Sequence, residues 1–187
     1  MGLVSHGTVL PVPPELRTGP FTRARALSLG VTPQMLRGQR FVRLYDGVWR
    51  HRDHAMTAAD RLEAARLALP ADAHLTGVTR LQALGLDVGP RLPMRFVIAR
   101  DHHVHLKDVF LHRTVRMPPL DDVGVAPVAA YVAYCARARV IDAITVGDWL
   151  LHHGRDHPRR RRFPRDGGLT GSPLQALVHR ERLSSCT

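Results

Sequence analysis

The chain has 187 residues, 44% of them apolar and 23% charged, with a formal net charge of +11 and two cysteines. That length suits one domain or two small ones, and the apolar fraction excludes a wholly disordered chain. No apolar run reaches the roughly 18–20 residues of a membrane-spanning helix, residues 1–14 lack the basic start of a secretory leader, and Cys135 and Cys186 make no disulfide framework, so a reducing cytoplasm is expected.

Residues 1–18 are rich in proline and read as a flexible arm, with order expected from Phe21-Thr22. Thr22 is an N-cap for a helix over residues 24–29, which Gly30 stops. Thr32-Pro33 restarts a helix that runs through Met35, Leu36 and Arg37 to about Gln39, because threonine caps and proline suits the first helical position. Two short helices around Gly30-Val31-Thr32 have helix-turn-helix grammar. Apolar and polar residues then alternate on both sides of Asp46-Gly47, the signal of a hairpin with a type I′ turn. Helix, turn, helix and hairpin over residues 19–53 predict a winged helix, its second helix suited to the DNA major groove.

Residues 54–154 predict a small mixed α/β domain, suited to dimerisation or to binding a partner. A helix over 56–69 is capped by Thr57 and ended by Pro70; a strand or turn follows His74, and a helix over 78–84 closes at Gly85. Strands over 95–99 and 109–113 read as a hairpin with a polar loop. Residues 127–136 form a helix with Val128, Tyr131, Val132 and Cys135 inward, and a last helix covers 140–152. Residues 155–187, with Arg159 to Arg162 between Pro158 and Pro164, read as a disordered basic tail in which only residues 174–178 are helix-forming. The fold class is therefore α+β.

The charge is uneven. Residues 1–53 hold eight arginines against three acids, residues 54–154 eleven bases against ten acids, and residues 155–187 eight arginines against three acids. Basic segments at both ends attract a polyanion. Lys107 is the only lysine, a bias that a GC-rich genome produces as readily as a need for phosphate binding. The candidate DNA contacts are Arg23 and Arg25 on the first helix, Thr32, Gln34, Arg37, Gln39 and Arg40 on the second, and Arg43, Arg50 and Arg52 on or after the wing. Arginine bonds guanine bidentately, glutamine reads adenine, and every arginine can hold phosphate. Thr32, Gln34 and Arg37 are the favoured base readers; Tyr45 and Trp49 pack the wing. The bland alternative is a solvated face.

The one metal-like cluster, Asp101-His102-His103-Val104-His105 with His112, falls in the expected hairpin loop and reads as a polar loop, so no metal or cofactor is assigned. Nuclease chemistry needs clustered carboxylates. Here Glu15, Glu63 and Glu181 are scattered, Asp121-Asp122 reads as a loop, and no phosphate loop or nucleophile elbow is present, so no enzymatic activity is expected.

The run Gly19-Pro20-Phe21-Thr22-Arg23-Ala24-Arg25-Ala26-Leu27, followed by Gly30-Val31-Thr32, Leu36-Arg37, Phe41-Val42-Arg43-Leu44 and Gly47-Val48-Trp49, resembles the N-terminal winged-helix domain of AbiEi-like antitoxins and related actinobacterial regulators. Leu69-Pro70, His74-Leu75-Thr76-Gly77, Ala83-Leu84-Gly85-Leu86, Arg95-Phe96-Val97-Ile98 and Gly147-Asp148-Trp149-Leu150-Leu151 extend the resemblance over about residues 19–154. It implies a DNA-binding autorepressor or antitoxin of a type IV toxin–antitoxin system, with double-stranded DNA as partner and a cognate toxin and a homodimer as further candidates. Members often continue into a segment like a very-short-patch-repair endonuclease. Here the resemblance stops near Gly154, and Gly124-Val125-Ala126-Pro127 stands where the family has a Thr-Ser-type helix start. The competing reading is a truncated or frame-shifted remnant of such an endonuclease.

Overall fold

Residues 11–153 are described by the structure, a computed structural model. Residues 1–10 of the expected arm, and the expected tail over 155–187, lie outside the described residues. The fold is mixed α+β, with six α-helices and two three-stranded sheets among the described residues. The chain divides into two units, Met1–Ala73 and His74–Thr187.

The first unit holds β1 (Phe21–Thr22), α1 (Arg23–Ser28), α2 (Pro33–Arg37), β2 (Phe41–Tyr45), β3 (Val48–His51) and α3 (Ala58–Ala68). Both expected caps are formed: Thr22 Oγ1 accepts from the Arg25 N–H and Thr32 Oγ1 from the Met35 N–H, each at 3.2 Å. Gly30, at φ +82°, donates to the Leu27 carbonyl, and Val31 donates to Ala26, both at 3.0 Å. This left-handed residue folds Val31 back onto Ala26, and both are buried. The second helix is shorter than expected. It ends at Arg37, where Gly38 turns into extended backbone, so Gln39 and Arg40 belong to the connection and not to the helix.

The sheet order is β1-β3-β2, all antiparallel. The hairpin turn differs from the expected type I′, which needs two residues at positive φ. Only Gly47 is there, at +72°, and a register shift between Arg43 and Tyr45 absorbs the difference as a bulge. Alternation along the strands and the register place Phe21, Phe41, Arg43, Trp49 and His51 on one face and Thr22, Val42, Val48 and Arg50 on the other. The first face builds a core with Val12, Leu16, Ala26, Val31 and Leu36, in which the Phe21 and Phe41 rings meet edge-on at 5.6 Å.

Two expectations are corrected here. Residues 11–18 are not a flexible arm: Pro14–Leu16 forms a 3₁₀ turn, and Val12 and Leu16 are buried in that core. Proline fits the first position of such a turn, and the two apolar side chains repay its ordering. The boundary between units falls after Ala73, not after residue 53, because α3 packs against all three strands. A three-stranded sheet needs cover on both apolar faces.

α3 opens with a reciprocal capping box. Thr57 Oγ1 accepts from the Asp60 N–H at 3.1 Å, and Asp60 Oδ2 accepts from the Thr57 N–H at 2.8 Å. The same carboxylate oxygen lies 3.0 Å from His54 Nε2. The Thr57 N–H, then the Thr57 hydroxyl, then His54 hold the Asp60 carboxyl below its ordinary value of 3.8, against the opposing effect of burial. Its contribution is therefore complete above that ordinary value and is lost as pH falls through the lowered folded value. Thr57→Ala is expected to cost ~1 kcal/mol, read as a lower melting temperature of the first unit by calorimetry.

The second unit holds β4 (His74–Leu75), α4 (Gly77–Ala83), β5 (Met94–Ile98), β6 (Val109–Arg113), α5 (Pro127–Cys135) and α6 (Val140–His153). β4 is antiparallel to β5, but β5 and β6 are parallel, from Met94↔Val109 to Ile98↔Arg113. The expected hairpin is thus corrected: residues 99–108 run back along the sheet instead of turning. Ten extended residues span about 33 Å, about twice the length of a five-residue strand, so no helix is needed for the crossover. In α5 Ala130 is buried, Val128 and Tyr131 are half-buried against the core as expected, and Val132, also expected inward, is exposed. The Tyr131 hydroxyl donates to the Ala143 carbonyl at 2.9 Å and ties α5 to α6.

Arg80 of α4 is 2% exposed. Its Nη2 donates to Asp121 Oδ2 at 2.6 Å and its Nε to the Val125 carbonyl at 3.1 Å. Asp121 Oδ1 in turn accepts from the N–H groups of Val123 and Gly124, at 2.9 and 3.0 Å. This network holds residues 121–125 against β4, where Val125 donates to the Leu75 carbonyl at 2.9 Å.

Candidate nucleic-acid interface

The first unit gathers most of the expected DNA-contacting arginines into two clefts, one at each end of the β2–β3 ribbon. The tip cleft, about 390 Å³, is lined by Arg23 from the start of α1, Pro33, Leu36 and Arg37 from α2, and Arg43, Asp46, Gly47 and Trp49 from the hairpin. The caps explain the convergence. Thr22 starts α1 at Arg23, Thr32 starts α2 one turn before Arg37, and the register sets Arg43 opposite Trp49 on the face that looks toward α2. Arg23, Arg37 and Arg43 are all exposed. Arg43 is steadied by an ion pair with Asp46 and by an Nε bond to the Tyr45 carbonyl at 3.3 Å. Three guanidiniums from three elements therefore line one concave surface, with one carboxylate among them.

The base cleft, about 460 Å³, is lined by Pro11, Val12, Arg17, Gln39, Arg40, His51, Arg52 and Asp53. Gln39 and Arg40 thus sit apart from Arg37. Arg17 was not among the expected contacts. The proline-rich stretch around it hid the two apolar residues, Val12 and Leu16, that fix it in place.

The other expected residues are arranged differently. Gln34 is exposed on α2 and Arg25 is exposed on α1, and neither is among the residues that line the tip or the base cleft. Thr32 is exposed, with its hydroxyl capping α2. Arg50 lies on the opposite face of the ribbon from Arg43. Its Nη1 lies 3.0, 2.7 and 2.8 Å from the carbonyl oxygens of His51, Arg52 and His54, so it pins the turn that leads from β3 toward α3.

No family model matches the chain, and no curated protein matches it either.

The histidine-rich segment of the second unit forms an ion network. Arg113 pairs with Asp101, and its Nη1 lies 2.9 Å from His103 Nε2. Its guanidinium, more than any other group, holds the Asp101 carboxyl below its ordinary value. Among the described residues, no three His, Cys, Asp or Glu side chains gather in a metal-ligating group, and no helix is long and apolar enough to cross a membrane.

Proposed function

We propose that the chain is a DNA-binding regulator whose Met1–Ala73 unit is a winged helix. The observation that carries this reading is the tip cleft, where Arg23, Arg37 and Arg43 converge between a short capped helix and a hairpin. The order of elements supports it: two short helices joined through Gly30, then a hairpin, with β1 paired to β3 as a third strand. α2 enters the major groove and presents Thr32, Gln34 and Arg37 to base edges. Arg23 and Arg43 hold phosphate beside it.

The second unit serves self-association or a protein partner. Val140, Ile141 and Ile144 of α6 are 77, 62 and 60% exposed and form an apolar surface suited to that role. The resemblance to AbiEi-like antitoxins adds the biological role: an autorepressor of a toxin–antitoxin pair that acts by occupying DNA and carries out no reaction itself.

The test is a comparison of two labelled duplexes, one from the gene's own upstream region and one with the same bases scrambled. Site-specific proteins discriminate by about 10³-fold or more. A clear preference for the upstream duplex is expected; equal affinity for both would contradict the regulator role.

A further inference from the structure

We infer that the free edge of the second sheet is a self-association surface, on which β6 pairs antiparallel with β6 of a second copy about a two-fold axis through Leu111. This rests on the self-association role proposed above for the second unit and gives that role a surface.

The edges of the two sheets are not alike. β1 and β4 are two residues each, and β4 is further covered by Gly124, which bridges Leu75. β2 carries the bulge between Arg43 and Tyr45. Short strands, bulges and covering segments are the devices that keep an edge from pairing with another chain. β6 ends the order β4-β5-β6 without any of them. It is five residues long, in unbroken register from Val109 to Arg113, with no lysine or proline.

The parallel ladder fixes which backbone groups face outward. The Met94 N–H donates to the Asp108 carbonyl at 2.8 Å, and the Thr114 N–H to the Ile98 carbonyl at 2.9 Å. These bonds bracket the strand, so Phe110 and His112 bond β5, while Val109, Leu111 and Arg113 turn their backbone groups to the free edge. The Val109 N–H is taken by the Leu106 carbonyl at 3.3 Å. Among the described residues, the N–H groups of Leu111 and Arg113 and the carbonyls of all three meet no partner.

That pattern is self-complementary. With the axis at Leu111, its N–H donates to the carbonyl of the partner's Leu111, and the Arg113 N–H donates to the carbonyl of the partner's Val109, two of each by symmetry. The side chains agree. Phe110, 42% exposed, stands opposite the partner's His112, an aromatic cross-strand pair. Arg113 faces the partner's Val109, so like charges do not meet, and its own charge is already met by Asp101. An unrelated peptide would find the backbone bonds but not these pairs, which is why the occupant is a second copy. Five residues a side make a small interface, so the dimer is expected to form and dissociate with concentration.

The experiment is sedimentation velocity of the full chain over a concentration series, with Leu111→Pro and Ile144→Asp alongside. Wild type is expected to pass from monomer to dimer. Proline is tolerated where an edge N–H faces outward. Leu111→Pro therefore keeps the ladder with β5 and is expected to lose the dimer at every concentration. Ile144→Asp, on the exposed face of α6, is expected to dimerise like wild type. Amide hydrogen exchange read by NMR gives a second measure on the unaltered chain. The Phe110 and His112 amides are expected to be protected throughout, and those of Leu111 and Arg113 only where the dimer forms. Protection of Phe110 and His112 in Leu111→Pro shows that the strand stays in place; if that variant fails to fold, the wild-type exchange pattern decides alone. A dimer that leaves Leu111 and Arg113 unprotected and is lost in Ile144→Asp overturns the edge pairing and leaves self-association standing through α6. A wild-type chain that stays monomeric at every concentration overturns this inference and the self-association role together, and leaves the DNA-binding reading to its own test.

Discussion

Arg37→Ala is expected to weaken binding to the upstream duplex by ~1–3 kcal/mol and to narrow the gap between that duplex and a scrambled one. Arg37 is the last residue of α2, exposed, and lines the tip cleft beside Leu36 and Pro33. A guanidinium there reaches a base edge when α2 lies in the groove, and the bidentate arginine–guanine pair is the commonest specific contact. A residue that touches only phosphate behaves differently, weakening all sequences alike and flattening the salt slope by about 0.9. Arg43→Ala is expected to follow this second pattern, with a smaller loss because Asp46 already offsets part of its charge. Arg50→Ala forms the control. Its guanidinium holds three backbone carbonyls, so it is expected to lower the melting temperature of the first unit with little change in affinity of the folded protein. Anisotropy titrations with both duplexes, paired with thermal melts, separate the three outcomes.

Asp121→Asn is expected to destabilise the second unit by ~3 kcal/mol, at the low end of the range for breaking a buried ion pair. Asparagine keeps an oxygen for the Val123 and Gly124 N–H groups, so the change isolates the charge. What remains is a guanidinium, 2% exposed, that still donates to the neutral Val125 carbonyl. The low end applies because the Asp121 side chain is 36% exposed and water can reach its side of the pair. The same network sets the acid response. Burial, the largest influence, pushes the Asp121 carboxyl up; the Val123 N–H, the Arg80 guanidinium and the Gly124 N–H together outweigh it and leave the group below its ordinary 3.8. The pair's contribution is therefore complete above that value and lost as pH falls through the lowered folded one. Urea denaturation of wild type and variant at neutral pH and in acid is expected to show the gap close as Asp121 protonates. Replacing both partners with apolar residues is expected to recover part of the loss, since an uncompensated buried charge costs more than the pair is worth.

The parts of the first unit that could be read in advance are those written locally. Thr22, Thr32 and Thr57 are caps because a hydroxyl before a helix has one job within reach, and Asp46-Gly47 marks a turn because few residues accept positive φ. The parts that could not be read depend on contacts distant in sequence. Leu16 shares a buried core with Phe41, and no local signal in its proline-rich stretch, which has the composition of an arm, announces this or the placing of Arg17. Arg50 and Arg43 look alike on the hairpin; alternation combined with the bulge sends one to backbone carbonyls and the other to the cleft. The direction of β6 relative to β5 is set by the path of residues 99–108, which carries no helix to announce a crossover. Arg80 is buried only because Asp121, 41 positions later, folds back to meet it.

The most direct test of the DNA-binding reading is an NMR titration of the full chain, labelled at backbone amides and arginine side chains, with the upstream duplex. The expected result is that α2 amides and the Arg23, Arg37 and Arg43 side-chain signals shift early and together, while Arg50 and residues 74–153 stay nearly still. Shifts that leave α2 and these three arginines unmoved, and fall instead in the second unit or outside residues 11–153, would contradict it.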